Sequence, residues 1–217
     1  MNTVFLRNFP EPAFDRREIL RYAGSPAGDE SGTAMMEQCL TEARGKFRYA
    51  VCWREVPVTF EEDHLDLGGI KTSSAALRKN LRDCGRAVLF AATVGLEIDR
   101  LTAKYSRLSP VKALMMQAVG AERIESLCDT FCDSLRDVYP KQRPRFSPGY
   151  GDLPLEMQRE LFAMLDCPRK IGLTLNESLL MSPTKSVTAI VGITDQDSDC
   201  NTNKCSTCAK TDCTFRG

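Results

Sequence analysis

Four cysteines close the chain in the spacing C-x4-C-x2-C-x4-C: Cys200, Cys205, Cys208 and Cys213. The residues between them are polar, so these thiols cannot form a hydrophobic core. Four thiolates this close together can hold a metal. A tetrahedral zinc site would use all of them, and so would a cubane iron–sulfur cluster. Thiol–disulfide chemistry without a metal is the third reading. Spacing alone does not choose, although ferredoxin-like runs are tighter than this one, which leans toward zinc.

A second chemically suggestive stretch is RFSPGYGDLP, residues 145–154. Arg145 offers a planar fork suited to a carboxylate. Tyr150 offers a ring face for an adenine or a cation. Ser147 and exposed backbone amides can hydrogen-bond a polar small molecule. Gly149 and Gly151 allow positive φ and close backbone approach, while Pro148 and Pro154 stiffen the path. The competing reading is a rigid connection between two helices, with Arg145 resting on a surface carboxylate.

Composition narrows what these residues could serve. The chain has 217 residues, 29 Lys plus Arg against 29 Asp plus Glu, 42% hydrophobic residues and 27% charged ones. That is an ordinary globular balance. Zero net charge argues against a nucleic-acid binder that neutralises phosphates. No apolar run is long enough to span a membrane. Arg7, Pro10 and Glu11 fall where a signal peptide needs an unbroken apolar segment, so the expected compartment is the cytoplasm. There, clustered cysteines point to metal or redox chemistry rather than disulfides. The other six of the ten cysteines, among them Cys39, Cys52, Cys128 and Cys132, read as ordinary residues of a reduced domain.

The elements that must position the loop follow from pattern. Asp15 caps a helix to Ala23, stopped by Gly24. Ser31 to Arg44 has apolar residues at helical spacing. Phe47 to Phe60 reads as one or two strands with Pro57 as an edge or bend, and His64 to Leu67 as a short strand closed by Gly68 and Gly69. Ser73 or Ser74 caps a helix to about Cys84. Arg86 to Val94 suits a central strand buried on both faces, and Gly95 turns into a polar helix, Leu96 to Tyr105. Ser109 and Pro110 open the longest helix, to about Val138, with an irregularity near Gly120. A helix Leu155 to Leu165 follows the loop. Ile171 to Leu175 and Ser186 to Ile193 read as strands.

The loop, taken with IGLTLNESLLMSPTKSV at residues 171–187, resembles the C-terminal activation domain of cobalamin-dependent methionine synthase. The shared pattern is R-x-x-x-G-Y, a helix, then I-G-x-x-L-x-E-S-x-x-M-x-P-x-x-S-V. The resemblance is specific over about residues 143–193 and limited to size and element order before that. It implies an α+β, C-shaped fold with a twisted antiparallel sheet and flanking helices over residues 1–194. Residues 195–217 then form a separate Cys-rich metal-binding tail.

It also implies a function. That domain binds S-adenosylmethionine (AdoMet) in a shallow groove and docks over the cobalamin domain. There, one electron and the AdoMet methyl return inactive cob(II)alamin to methylcobalamin. By position, Arg145 would hold the AdoMet carboxylate. Ser147, Gly149 and Tyr150 would line the groove, and Glu177, Ser178 and Ser186 would lie near it without an assigned role. No acid or base is required of the protein, because the cofactor and the sulfonium carry the chemistry; the protein positions. His64, the only histidine, needs no role. The implied partners are a cobalamin-binding methionine synthase core chain and an electron donor, with no nucleic acid and no membrane. The chain carries no cobalamin module of its own, so it is expected to act as a free-standing subunit. Reactivation consumes an electron, which favours iron–sulfur over zinc in the tail. The alternative is a non-catalytic module that docks on a corrinoid protein and folds its tail around zinc. Lys185 stands where the fused enzymes carry a small residue.

Overall fold

The computed structural model describes residues 3–195. Strand β1 (Phe5–Asn8) is followed by helices α1 (Arg16–Ala23) and α2 (Glu30–Ala43). Strands β2 (Ala50–Phe60), β3 (Leu65–Leu67) and β4 (Ile70–Thr72) come next, then helix α3 (Ala75–Asn80) and strand β5 (Cys84–Thr93). Helices α4 (Glu97–Leu108) and α5 (Pro110–Arg136) precede the loop, and α6 (Met157–Leu165) and α7 (Cys167–Ile171) follow it. The short strands β6 (Thr174–Leu175) and β7 (Met181–Ser182) form a hairpin, and β8 (Ser186–Thr194) closes the described chain.

The main sheet is antiparallel throughout, in the order β4-β3-β2-β5-β8. β1 pairs with Ala50–Trp53 of β2, and β3 pairs with Val58–Phe60. Pro57 falls in the gap between these two partners. That is where a residue without an N–H is tolerated in a strand.

β5 shows why a nearly continuous apolar run belongs at the centre. Val88, Phe90 and Ala92 enter one core with α1, α2, α4 and α5, while Ala87, Leu89 and Ala91 enter a second core with α3, α6 and α7. Side chains alternate across a strand, so a strand covered on both faces must be apolar at every position. Each large apolar side chain so buried contributes roughly 1.5–3 kcal/mol.

Several local signals hold as read. Asp15 accepts hydrogen bonds from the Arg17 and Glu18 amides, and Gly24 ends α1 at φ 68°. Ser109 accepts from the Lys112 amide at the start of α5. The irregularity expected near Gly120 is not found: this helix passes the glycine without a break. A Cβ there would come within 2.9 Å of both Ile98 and the Lys185 stem, so the glycine serves close packing. Two further expectations are corrected. The helix capped by Ser74 ends at Asn80, because Cys84 already begins β5 and Asp83 takes φ 66°. Ile171 is not strand but the last residue of α7, which Pro168 helps open; only Thr174 and Leu175 remain extended there. Of the six cysteines before the tail, Cys39, Cys52, Cys84, Cys128 and Cys167 are buried and Cys132 is half-buried. Among the described residues, no helix is long and apolar enough to cross a membrane.

Candidate functional site

The loop after α5 begins as an irregular extra edge along β8. The Arg143 amide donates to the Gly192 carbonyl at 2.8 Å, and Phe146 and Ile190 exchange both backbone bonds at 2.9 and 2.8 Å. This pairing fixes Arg145 beside the outer edge of the sheet. It stops after Phe146, where the loop turns away, and among the described residues no loop backbone pairs with the first residues of β8.

The turn is held from two sides. Gly149, at φ 90°, donates its amide to the Leu153 carbonyl at 2.9 Å. Asp152 reaches across to the start of α3, where its carboxylate accepts from Ser74 Oγ at 2.5 Å and from the Ala75 and Ala76 amides at 2.8 and 3.1 Å. The Ser74 hydrogen bond is the main reason this carboxyl is held below its usual pKa. Gly151 sits at φ 57°, and a Cβ there would stand 2.8 Å from Ala76 Cβ. Only glycine gives both the conformation and the clearance.

Between this loop, α5, α6 and β8 lies a cleft of about 390 Å³, within the usual range for a small-molecule site. Arg145, Ser147, Pro148 and Tyr150 line it from the loop, and Ser186, Val187 and Thr188 from β8. Glu125 of α5, Gln158 of α6 and Met181 of the hairpin complete it. Arg145 donates from Nη2 to Glu125 Oε2 and from Nη1 to Asp129 Oδ1, both at 2.6 Å, with its side chain 25% exposed. Burial opposes its charge, but the Asp129 and Glu125 carboxylates raise its pKa above the ordinary guanidinium value. Arg145 therefore does rest on carboxylates, and one of them shares the cleft with it. Tyr150 stands at the mouth, edge-on to Phe146 with ring centroids 6.3 Å apart.

Two lining atoms lack partners. Gln158 Oε1 and Thr188 Oγ1 are buried and make no hydrogen bond with the described residues. Buried polar atoms are nearly always paired, so these mark a place where a ligand or a water completes the set. Chemically, the cleft can hold a zwitterion at its charged end and a neutral hydrogen-bonding group at the other.

Residues 78–212, more than half of the chain, match the family model described as "Vitamin B12 dependent methionine synthase, activation domain". The chain belongs to this family. The match starts upstream of β5, so membership extends well beyond the two segments that carry the resemblance in sequence. It also runs past Cys208. Among solved structures, the chain is similar to one titled "Crystal Structure of the MetH Reactivation Domain bound to AdoHcy", with a TM-score of 0.67 and 15% identity over 90% of this chain and 80% of that one. That likeness supports the α+β fold with its antiparallel sheet. No curated protein matches the chain.

Within this activation-domain fold, the expected site residues separate. Arg145, Ser147 and Tyr150 line the cleft, joined by Ser186. Ser186 Oγ bonds Thr93 Oγ1 and the Pro183 carbonyl at 2.8 Å each. Gly149 shapes the loop through its backbone and does not line the cleft. Glu177 and Ser178 are exposed at the β6–β7 turn. There the Glu177 carbonyl accepts from Arg159 Nη2 at 2.8 Å, and it is Met181, beyond the turn, that reaches the cleft. The Lys185 stem lies against Gly120, and burial lowers the pKa of its amine. His64 pairs with Asp63 at 2.6 Å. Sequence reasoning missed Glu125, Gln158 and Thr188. Glu125 left one signal, its place on the same face of α5 as Asp129. Cys200, Cys205, Cys208 and Cys213 lie outside the described residues, and no group of metal-ligating side chains occurs among the described ones.

Proposed function

We propose that the cleft binds AdoMet and that the chain is a reactivation subunit, supporting reductive methylation of cob(II)alamin in a separate cobalamin-dependent methionine synthase. The observation that carries this is the Arg145–Glu125 pair on the cleft wall. An amino-acid ligand carries a carboxylate and an ammonium on one carbon. Its carboxylate replaces Glu125 on the Arg145 fork, and its ammonium takes Glu125 as counter-ion. One ion pair is exchanged for two, and Asp129 keeps the guanidinium oriented. The Tyr150 ring at the mouth lies where it can face the sulfonium or the adenine. Ser147 and the backbone around Gly149 supply hydrogen bonds at the loop. Glu177 and Ser178 contribute by shaping the hairpin that delivers Met181.

The cobalamin belongs to the partner chain and supplies the nucleophile. This chain binds the methyl donor, orients it and covers it from water. Residues 1–194 form the binding body, and residues 195–217 a tail whose four cysteines hold a metal. An iron–sulfur cluster there would pass on the electron that reactivation consumes, which zinc cannot do. The cysteine pattern and the electron requirement support this assignment.

The test mixes the purified chain with an inactive cob(II)alamin-loaded methionine synthase core, AdoMet and a reductant. Restored methyl transfer, lost with Arg145→Ala, is the expected result. Binding to the core without restored transfer would leave a docking module instead. Metal analysis of anaerobically prepared protein decides the tail: a visible chromophore lost with Cys205→Ser supports the cluster, and stoichiometric zinc in a colourless protein rejects it.

A further inference from the structure

We propose that Gln158 reads the adenine of the bound ligand, with Thr188 closing the same subsite; this rests on the cleft being an AdoMet site. The charge in the cleft is concentrated at Arg145 and Glu125. The lining contributed by α6, the hairpin and β8 is neutral: Gln158, Met181 and Thr188, with Val187 on the other face of the strand, toward the α5 core. Gln158 is 6% exposed and Thr188 2% exposed, and among the residues lining the cleft their Oε1 and Oγ1 atoms are the two buried ones without a hydrogen-bond partner. An unpaired buried amide oxygen is costly to the apo protein. On a cleft wall, a ligand group that pairs with such an atom repays that cost.

The geometry of a carboxamide selects the ligand group. Its oxygen accepts and its nitrogen donates, side by side in one plane. Adenine presents a donor at N6 and an acceptor at N7 in the same arrangement, which is why glutamine pairs with this edge in two bonds. Hypoxanthine presents two acceptors, O6 and N7, on that edge. Whichever way the Gln158 amide is turned, its oxygen then meets an acceptor. The Thr188 hydroxyl, able to donate or accept, adds a third polar contact. Met181 offers apolar surface for the ring.

The experiment measures binding of S-adenosylhomocysteine and S-inosylhomocysteine to the full-length protein by calorimetry, with Gln158→Leu and Thr188→Val as variants. The wild type should prefer the adenosyl ligand by about tenfold or more. Gln158→Leu should lose that preference, and its ligand-free melting temperature should not fall, since an unpaired polar atom has been replaced by an apolar group. Thr188→Val should weaken both ligands. A folded Gln158→Leu protein that keeps the full preference overturns the proposal. If that variant does not fold, Gln158→Glu keeps the acceptor for N6 but not the donor for N7, and an unchanged adenosyl affinity would be equally fatal. Failure of both ligands to bind the wild type removes the AdoMet reading itself. Binding without preference removes only the Gln158 assignment.

Discussion

Two arginines meet the same stretch of α5 and do opposite things. Arg123 lies on the helix with no exposed surface. It pairs with Glu122 through two bonds, donates to the Pro12 and Ala13 carbonyls at 2.6 and 2.8 Å, and stacks on Phe14 at 3.9 Å. Arg145 arrives from the loop, remains partly open to solvent, and holds Glu125 and Asp129. The first arrangement is closed: both charged groups are buried, and their hydrogen bonds fasten residues 12–14 to the helix. The second borders a cleft in which two buried polar atoms lack partners. A buried charge with satisfied neighbours is structural. A charge beside unsatisfied ones points to a ligand.

Breaking the closed region should have the largest effect. Arg123→Ala leaves the Glu122 carboxylate buried without its counter-ion, which costs about 3–5 kcal/mol. Urea denaturation should show the loss, and replacing both residues with leucine should restore only the part due to the uncompensated carboxylate, since the Pro12 and Ala13 carbonyls stay unpaired. Arg145→Ala should do the reverse. Asp129 is exposed and Glu125 only half-buried, so stability should change by about 1 kcal/mol or less. S-adenosylhomocysteine affinity should fall by about 2 kcal/mol, roughly thirtyfold. Equal stability losses for the two variants would erase the distinction between the regions. Gly151→Ala sits between them. Forcing a Cβ against Ala76 at positive φ should cost about 1–2 kcal/mol of stability and weaken binding several-fold by shifting the Asp152 anchor.

How far each region could be read beforehand follows from the same contrast. The central strand, α1, α5 and the Asp15 and Ser109 caps were legible because apolar periodicity and capping residues are local signals. The loop was legible through Arg145, Ser147 and Tyr150, whose types are unusual in a simple connection. Gln158 and Thr188 were not legible. A buried glutamine inside a helical pattern reads as one more polar face residue until the fold turns it inward. Glu177 and Ser178 were selected by their place in a shared segment. Strand pairing puts them at the tip of a hairpin, and the hairpin's return brings Met181 to the cleft instead. Ile171 was misread because a five-residue helix is too short to establish a helical period.

The smallest expected effect tests, by pH, another satisfied cluster, where α2 meets α4 and α5. Glu42 of α2 accepts from Tyr105 at 2.6 and 2.8 Å and pairs with Lys104 at 3.1 Å and Lys112 at 2.9 Å, while Lys112 lies over the Tyr105 ring. Burial alone would raise its pKa, but these hydrogen bonds and cations bring it down to about 2 from 4.5. A carboxyl more acidic in the folded state stabilises the fold above its unfolded pKa. That contribution disappears as pH falls through the folded value. Stability should therefore decline between about pH 4.5 and 2, and Glu42→Gln should flatten part of that decline. Ligand affinity near neutral pH should be untouched, because Glu42 holds α2 to α4 and α5 and does not line the cleft. A Glu42→Gln protein that binds S-adenosylhomocysteine more weakly at pH 7 would mean that this cluster and the cleft are coupled through α5.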